Sequence, residues 1–214
     1  GVGGGFGPDS FSDDSNAKIT ITGGEIHVNA SGDGLDSNGD IEISGGTVYV
    51  YGPTSNGNGS LDYENNAVIT GGTVIMAGSS GMAMNFGTES TQGSILASTG
   101  NASAGTAVKL ADSSENVIAE FTPTVSFQTV VISTPDITSD GTYTLTVGDS
   151  KQEITMSGYI YGSGMGGGFG GGQHGGNGGF GGGNRPGGNN HGGFAGGNPP
   201  DMNGGQNGNT TANV

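Results

Sequence analysis

The chain has 214 residues, 50 of them Gly, with no Cys, no Trp and only 30% hydrophobic side chains. This composition excludes a disulfide framework and a thiolate metal site, and it is too poor in apolar residues for a wide globular core. A net charge of −15, from 19 acids against 4 bases, excludes nucleic acid as a partner and disfavours anionic membrane surfaces.

Cations and neutral or cation-bridged polymers remain as partners. The four bases, Lys18, Lys109, Lys151 and Arg185, are too dispersed to neutralise phosphates. No run of about 18 apolar residues exists, so membrane insertion is not expected. The chain begins at Gly1 and shows no signal peptide, which reads as a processed protein or an excised piece.

Residues 1–17 form a Gly- and Asp-rich N-terminal segment without periodicity, read as a loop. A pattern then occurs three times: Ile19-Thr20-Ile21-Thr22-Gly23-Gly24-Glu25-Ile26-His27-Val28, Ile41-Glu42-Ile43-Ser44-Gly45-Gly46-Thr47-Val48-Tyr49-Val50 and Ala67-Val68-Ile69-Thr70-Gly71-Gly72-Thr73-Val74-Ile75-Met76. Each copy is a pair of alternating strands around a two-glycine corner. The corners are 22 residues apart from Gly23 to Gly45 and 26 from Gly45 to Gly71. Repeats of that length predict about three coils of a parallel β-helix over 18–90, whose narrow interior suits the composition.

Period-2 alternation points Ile19/Ile41/Ala67, Ile21/Ile43/Ile69, Ile26/Val48/Val74 and Val28/Val50/Met76 inward. The Thr22/Ser44/Thr70 column can hydrogen-bond along the stack. Outward, the column His27/Tyr49/Ile75, with Tyr51 and Tyr63 nearby, offers aromatic faces to a sugar. Tyr49 and Tyr51 read equally well as ordinary strand residues covering the sheet.

Asp36 and Asp62 each follow a leucine and each stand nine residues before the first glycine of the next corner. Stacked coils lie about 4.8 Å apart, so in register the two carboxylates repel unless one is protonated or a cation lies between them. Asp33, Asp36, Asn38, Asp40, Asp62, Glu64 and Asn66 are the candidate oxygen ligands, and hard oxygen donors of this kind suit Ca²⁺. The spacing is not that of an EF-hand, and the same residues also read as a polar turn of solvated acids.

Residues 91–161 change character. Strand-like runs at Gly93–Ala97, Ala107–Ala111, Val117–Phe121, Gln128–Ser133, Gly141–Val147 and Gln152–Met156 are separated by turn signals such as Ser139-Asp140-Gly141 and Gly148-Asp149-Ser150. They predict a small β region capping the open end of the stack, which an exposed last coil needs. Residues 162–214 are mostly Gly and Asn with scattered Phe169, Phe180 and Phe194, and are expected to be a disordered tail serving as spacer or tether.

The Gly-Gly strand repeats and the loop Gly32-Asp33-Gly34-Leu35-Asp36-Ser37-Asn38-Gly39-Asp40 resemble a family of bacterial carbohydrate-binding parallel β-helix proteins. Gln92-Gly93-Ser94-Ile95-Leu96, the stretch from Ser126 to Pro135 and Thr142-Tyr143-Thr144-Leu145 are similar to that family's C-terminal portion. The resemblance covers roughly residues 18–160. It implies an all-β, right-handed parallel β-helix similar to pectate lyases and an extracellular or cell-surface location. It also implies calcium, with Asp33, Asp36, Asp40 and Asp62 as ligands, and plant polysaccharide as partner. Family members usually have more than three coils, which leaves open that N-terminal coils are absent here.

The expected function is therefore non-catalytic binding of plant cell-wall polysaccharide, polygalacturonate (pectin) or cellulose, with calcium. A structural or adhesive surface protein that self-associates end to end is the alternative. A lyase-like enzyme is third. Its base would be Arg or Lys, and only Lys18, Lys109 and Lys151 fall in the folded region. Hydrolysis by Asp36 and Asp62 would need different environments for the two acids, which their matching loops do not suggest. No catalytic residue is assigned.

Overall fold

The computed structural model describes residues 17–163. The N-terminal segment before Ala17 and the Gly/Asn-rich tail from Gly164 on lie outside the described residues, as do the expectations attached to them. Among the described residues every regular element is a strand.

Each copy of the repeat forms one long strand: β1 (Lys18–Asn29), β3 (Asp40–Tyr51) and β5 (Asn66–Gly78). Short strands β2 (Leu35–Ser37) and β4 (Leu61–Tyr63) lie between them. The long strands pair in parallel, β1 with β3 and β3 with β5, so that Ile21, Ile43 and Ile69 share one rung and Val28, Val50 and Met76 another. β2 pairs with β4, also in parallel.

At each corner the register slips beside the glycine pair. Gly24, Gly46 and Gly72 all adopt positive φ, between 85° and 92°. At Gly46 a methyl group would also stand 2.8 Å from the Gly24 carbonyl oxygen below it. Only glycine satisfies both the left-handed backbone and the close stacking of one corner on the next.

The inward columns are where alternation places them. Ile41, Ile43, Val48, Val50, Ala67, Ile69, Val74 and Met76 are at most 1% exposed, while Ile19, Ile26 and Val28 on β1 pack against the same core but are only half-buried. Leu35 and Leu61 close that core from the short-strand side.

Beyond β5 the chain forms β6 (Ser94–Ala102), β7 (Val108–Asp112), β8 (Val117–Phe121), β9 (Phe127–Ser133), β10 (Thr142–Val147), β11 (Ser150–Thr155) and β12 (Ile160–Tyr161). β9 occupies the free edge of β5 in antiparallel sense, β6 joins β9, and β12 joins β6, giving a mixed sheet in the order β1-β3-β5-β9-β6-β12. A second, antiparallel sheet runs β11-β10-β7-β8.

A single narrow interior is the expectation from composition, and the structure differs. The outward face of the mixed sheet (Ile75, Ala77, Ile95, Ala97, Val130 and Ile132) and the second sheet (Val108, Leu110, Phe121, Tyr143, Leu145 and Ile154) bury each other in a second core. β5, β6 and β9 are thus apolar on both faces, which lets a sheet poor in apolar residues bury two layers at once.

Buried polar groups tie the layers together. The Asn85 side chain accepts from Phe86 N–H (2.8 Å) and Ser94 Oγ (2.6 Å), and it donates to the carbonyls of Tyr161 (2.8 Å) and Gly162 (3.0 Å). Gln92 Nε2 donates to the Gly72 carbonyl at 3.0 Å and to Ser133 Oγ at 2.8 Å.

Candidate functional site

The acidic residues fall into two groups. On the short-strand face, Asp36 of β2 and Asp62 of β4 are direct partners in the parallel ladder, with Leu35 beside Leu61 and Ser37 beside Tyr63. The alternation that buries Leu35, Leu61 and Ser37 turns Asp36 outward. Asp36 is exposed and Asp62 is half-buried. Burial, followed by the charges of Asp33 and Asp36 and more weakly of Glu64, pushes the Asp62 carboxyl above its ordinary value. Four of the seven candidate ligands thus share one patch of negative potential.

Within that patch Asp33 has a structural task. Its Oδ1 accepts the Gly59 N–H at 2.7 Å, joining the loop before β2 to the loop before β4. With its amide nitrogen turned toward the carboxylate, Asn58 donates to Asp33 Oδ2 at 3.2 Å.

The other group stands on the long-strand side. Asp40 opens β3 on the rung shared with Lys18 and Asn66. Asn66 Nδ2 donates to Glu89 Oε2 at 2.7 Å, which takes that amide for the fold. Lys18 Nζ pairs with Glu42 Oε1 at 2.6 Å. Asn38 is exposed on the bend between the two groups.

Among the described residues no three or more His, Cys, Asp or Glu side chains come together in a group that could hold a metal ion. The donors on the short-strand face are hard oxygens and suit Ca²⁺, but a calcium ion takes 6–8 oxygens. The patch therefore matches the ion in chemistry and falls short of it in ligand number.

The aromatic candidates also separate. His27 and Tyr49, neighbours on one rung, stack with ring centroids 4.8 Å apart and planes 16° from parallel. Tyr51 lies tilted 6.4 Å from Tyr49. The His27 ring nitrogen meets Glu25 Oε1 at 2.6 Å. Tyr49 and Tyr51 both pack against the second core, and burial, with Tyr49 as the smaller contributor, pushes the Tyr51 phenol up. Stacking spends one face of Tyr49 on His27.

Tyr63 is on the opposite side. Its hydroxyl donates to the Asn85 carbonyl at 2.8 Å, burial raises its pKa, and it walls a cavity of about 220 Å³ beside Met84, Phe86 and Ile160. The three tyrosines do not form one surface.

Two buried polar residues take their roles from tertiary contacts: Asn85, which with Met84 stands in plausible register as a third copy of the Leu35-Asp36 and Leu61-Asp62 column, and Gln92. Their partners lie far along the chain, so no local spacing announces them.

Comparison with protein-family models, with curated proteins and with solved structures returns no match to this chain.

Proposed function

We propose that the protein is a non-catalytic, carbohydrate-binding module that captures acidic plant polysaccharide, polygalacturonate above all, through calcium ions held between the Asp36/Asp62 ladder and the uronate groups of the glycan. In this reading residues 18–90 are coils of a right-handed parallel β-helix, supported by the parallel pairing of β1, β3 and β5 and of β2 with β4. The setting is extracellular or on the cell surface.

The observation that carries the proposal is the in-register pair Asp36 and Asp62, with Asp33 and Glu64 close enough to act on Asp62 electrostatically. An acidic chain repels a polyuronate, so capture needs a bridging cation. The short ligand count favours bridging over a closed site: the protein supplies two or three oxygens, and uronate and water supply the remainder. Calcium and glycan affinity are then coupled, each ligand raising the affinity for the other.

A lyase-like role has less support. Lys18, the base nearest the coils' surface, is engaged with Glu42. A structural or adhesive role has one observation in its favour. β1 is an edge of the mixed sheet among the described residues, and its Ile26 and Val28 are half-buried where their β3 partners are fully buried. An edge of that kind can pair with another chain end to end, and concentration-dependent association in sedimentation would reveal it.

The test of the main reading is polygalacturonate binding by the full chain, measured by calorimetry with Ca²⁺ and with EDTA, for the wild type and for Asp36→Asn/Asp62→Asn. Binding in calcium, loss in EDTA and at least about tenfold weakening in the double variant, roughly 1.4 kcal/mol, are expected. Equal binding in EDTA, or no binding in calcium, overturns it.

A further inference from the structure

We propose that the protein carries a second, metal-independent site for a neutral glycan, in the cavity at the corner of the third long strand where Thr70, Gln92 and Tyr159 meet. The cavity holds about 330 Å³, at the lower end of the range of about 300–1,000 Å³ usual for small-molecule sites. It is separate from the acidic patch, shares none of its residues, and no charged side chain lines it.

The lining has two chemistries. Thr70, Thr91, Thr138 and Ser139 bring hydroxyls, each able to donate and to accept. Pro135, Ile137 and the Tyr159 ring bring apolar surface, and Tyr159 is 42% exposed, one of two large apolar or aromatic side chains left so open among the described residues. A pyranose matches this division. Its hydroxyls are both donors and acceptors, and its axial C–H groups form an apolar face that lies on an aromatic ring.

Gln92 makes the site more than a polar dent. It is 6% exposed, and its Nε2 is spent on the Gly72 carbonyl and Ser133 Oγ. Those two bonds fix the amide plane. No described residue donates to its Oε1, and no buried side-chain oxygen in the fold is without a partner unless solvent reaches it. Gln92 lines the cavity, and an oxygen there that solvent reaches accepts from water or from a ligand donor. A sugar hydroxyl supplies one, whereas a carboxylate or phosphate cannot.

The approach to the cavity favours a chain over a single sugar. Thr22, Ser44 and Thr70 follow the in-register residues Ile21, Ile43 and Ile69, and all three hydroxyl-bearing residues are exposed. They recur once per strand as a row of exposed hydroxyl-bearing residues that ends at Thr70 in the cavity lining, with the register slipping there so that Thr22 pairs with Gly45 and Ser44 with Gly71. Further residues of the same glycan would lie along that row.

The experiment is titration of the full chain with cellohexaose, mannohexaose and xylohexaose in EDTA, followed by ligand-observed NMR and calorimetry. The variants are Tyr159→Ala, Tyr159→Phe, Thr70→Val and Asp36→Asn/Asp62→Asn. At least one hexasaccharide is expected to bind without metal. Tyr159→Ala should weaken it about tenfold, Thr70→Val several-fold, and Tyr159→Phe little, because the ring face is kept. The Asp double variant should bind it as the wild type does, which separates this site from the calcium-bridged one. Absence of binding by all three oligosaccharides overturns the proposal, as does binding that neither Tyr159→Ala nor Thr70→Val changes. Should Tyr159→Ala fail to fold, Thr70→Val alone decides.

Discussion

Asp36 and Asp62 occupy the same rung of a parallel ladder, yet one carboxylate stands in solvent and the other is half-buried against it. The difference comes from position in the stack. Asp62 has residues of a neighbouring turn on both sides, since the loop before β4 hydrogen-bonds to the loop before β2 and the Gly59 backbone abuts that of Met82. The charges of Asp33, Asp36 and Glu64 then act on a group already short of water.

That asymmetry has a sign in the pH dependence of stability. The folded pKa of Asp62 lies above its ordinary 3.8, so the fold favours the protonated acid. Its contribution is most favourable below 3.8 and is lost as pH rises through the folded value. Asp62→Asn should therefore raise the melting temperature at neutral pH in EDTA, by less than the equivalent of about 1 kcal/mol because solvent screens the patch. The difference should vanish below pH 3.8. If calcium occupies the ladder, the sign reverses in its presence, since the ion stabilises only the charged form. Thermal melts at two pH values, with and without Ca²⁺, read all of this.

The corner glycines are not equivalent. Gly24 and Gly46 have similar positive φ, 85° and 89°, but a methyl on Gly24 meets nothing within 4 Å while one on Gly46 meets the backbone of the corner below at 2.8 Å. Gly24→Ala should cost about 1 kcal/mol of backbone strain. Gly46→Ala should cost clearly more, because two corners must separate. Urea unfolding of the two variants gives the comparison, and equal losses would mean the stacking of corners is slack.

The inner column predicts its own hierarchy. Ile69 is fully buried in the middle of the first core, and Ile69→Ala should destabilise by about 3 kcal/mol. Thr20, one step along β1 from a core position and turned outward, should tolerate Ala within about 0.5 kcal/mol. Denaturant midpoints with unchanged slope would confirm that both act on stability alone.

Asn85 ties β6 and its sheet neighbour β12 to the third turn. Replacing it with Ala strips the Ser94 hydroxyl and the Tyr161 and Gly162 carbonyls of a partner, at a cost of about 3 kcal/mol. Hydrogen exchange at Ser94, whose N–H donates to the Tyr159 carbonyl, should then speed up with that of the rest of the β6–β12 pairing. Unchanged exchange there would show that β12 is held by packing alone.

Much of the strand arrangement was legible because its information is local and repeated. Period-2 alternation marked Ile43, Val48 and Val74 as core, and equal spacing from Leu to the glycine pair placed Asp36 opposite Asp62. Runs in the second half were also legible: Val117–Phe121 is β8 as written, and the other predicted runs differ from β7, β9, β10 and β11 only at their ends, whereas Gly93–Ala97 covers only the start of β6 and no run marked β12. The candidate ligands were legible only as residue types. Asp40 and Asn66 share a rung with each other but not with Asp36, because the bend at Asn38 and Gly39 separates the short-strand side from the long-strand side.

The residues alone determined the repeat, the inward columns and the glycine corners, since each depends on neighbours a few positions away and on a period that recurs. Tertiary structure decided the rest. The second core that covers Tyr49 and Tyr51, the hold of Gln92 on Ser133 across 41 positions and of Asn85 on Gly162 across 77 all arise from chain segments meeting in space. Such contacts depend on how sheets pack, and a polar side chain carries no mark in the sequence of the distant partner that will satisfy it.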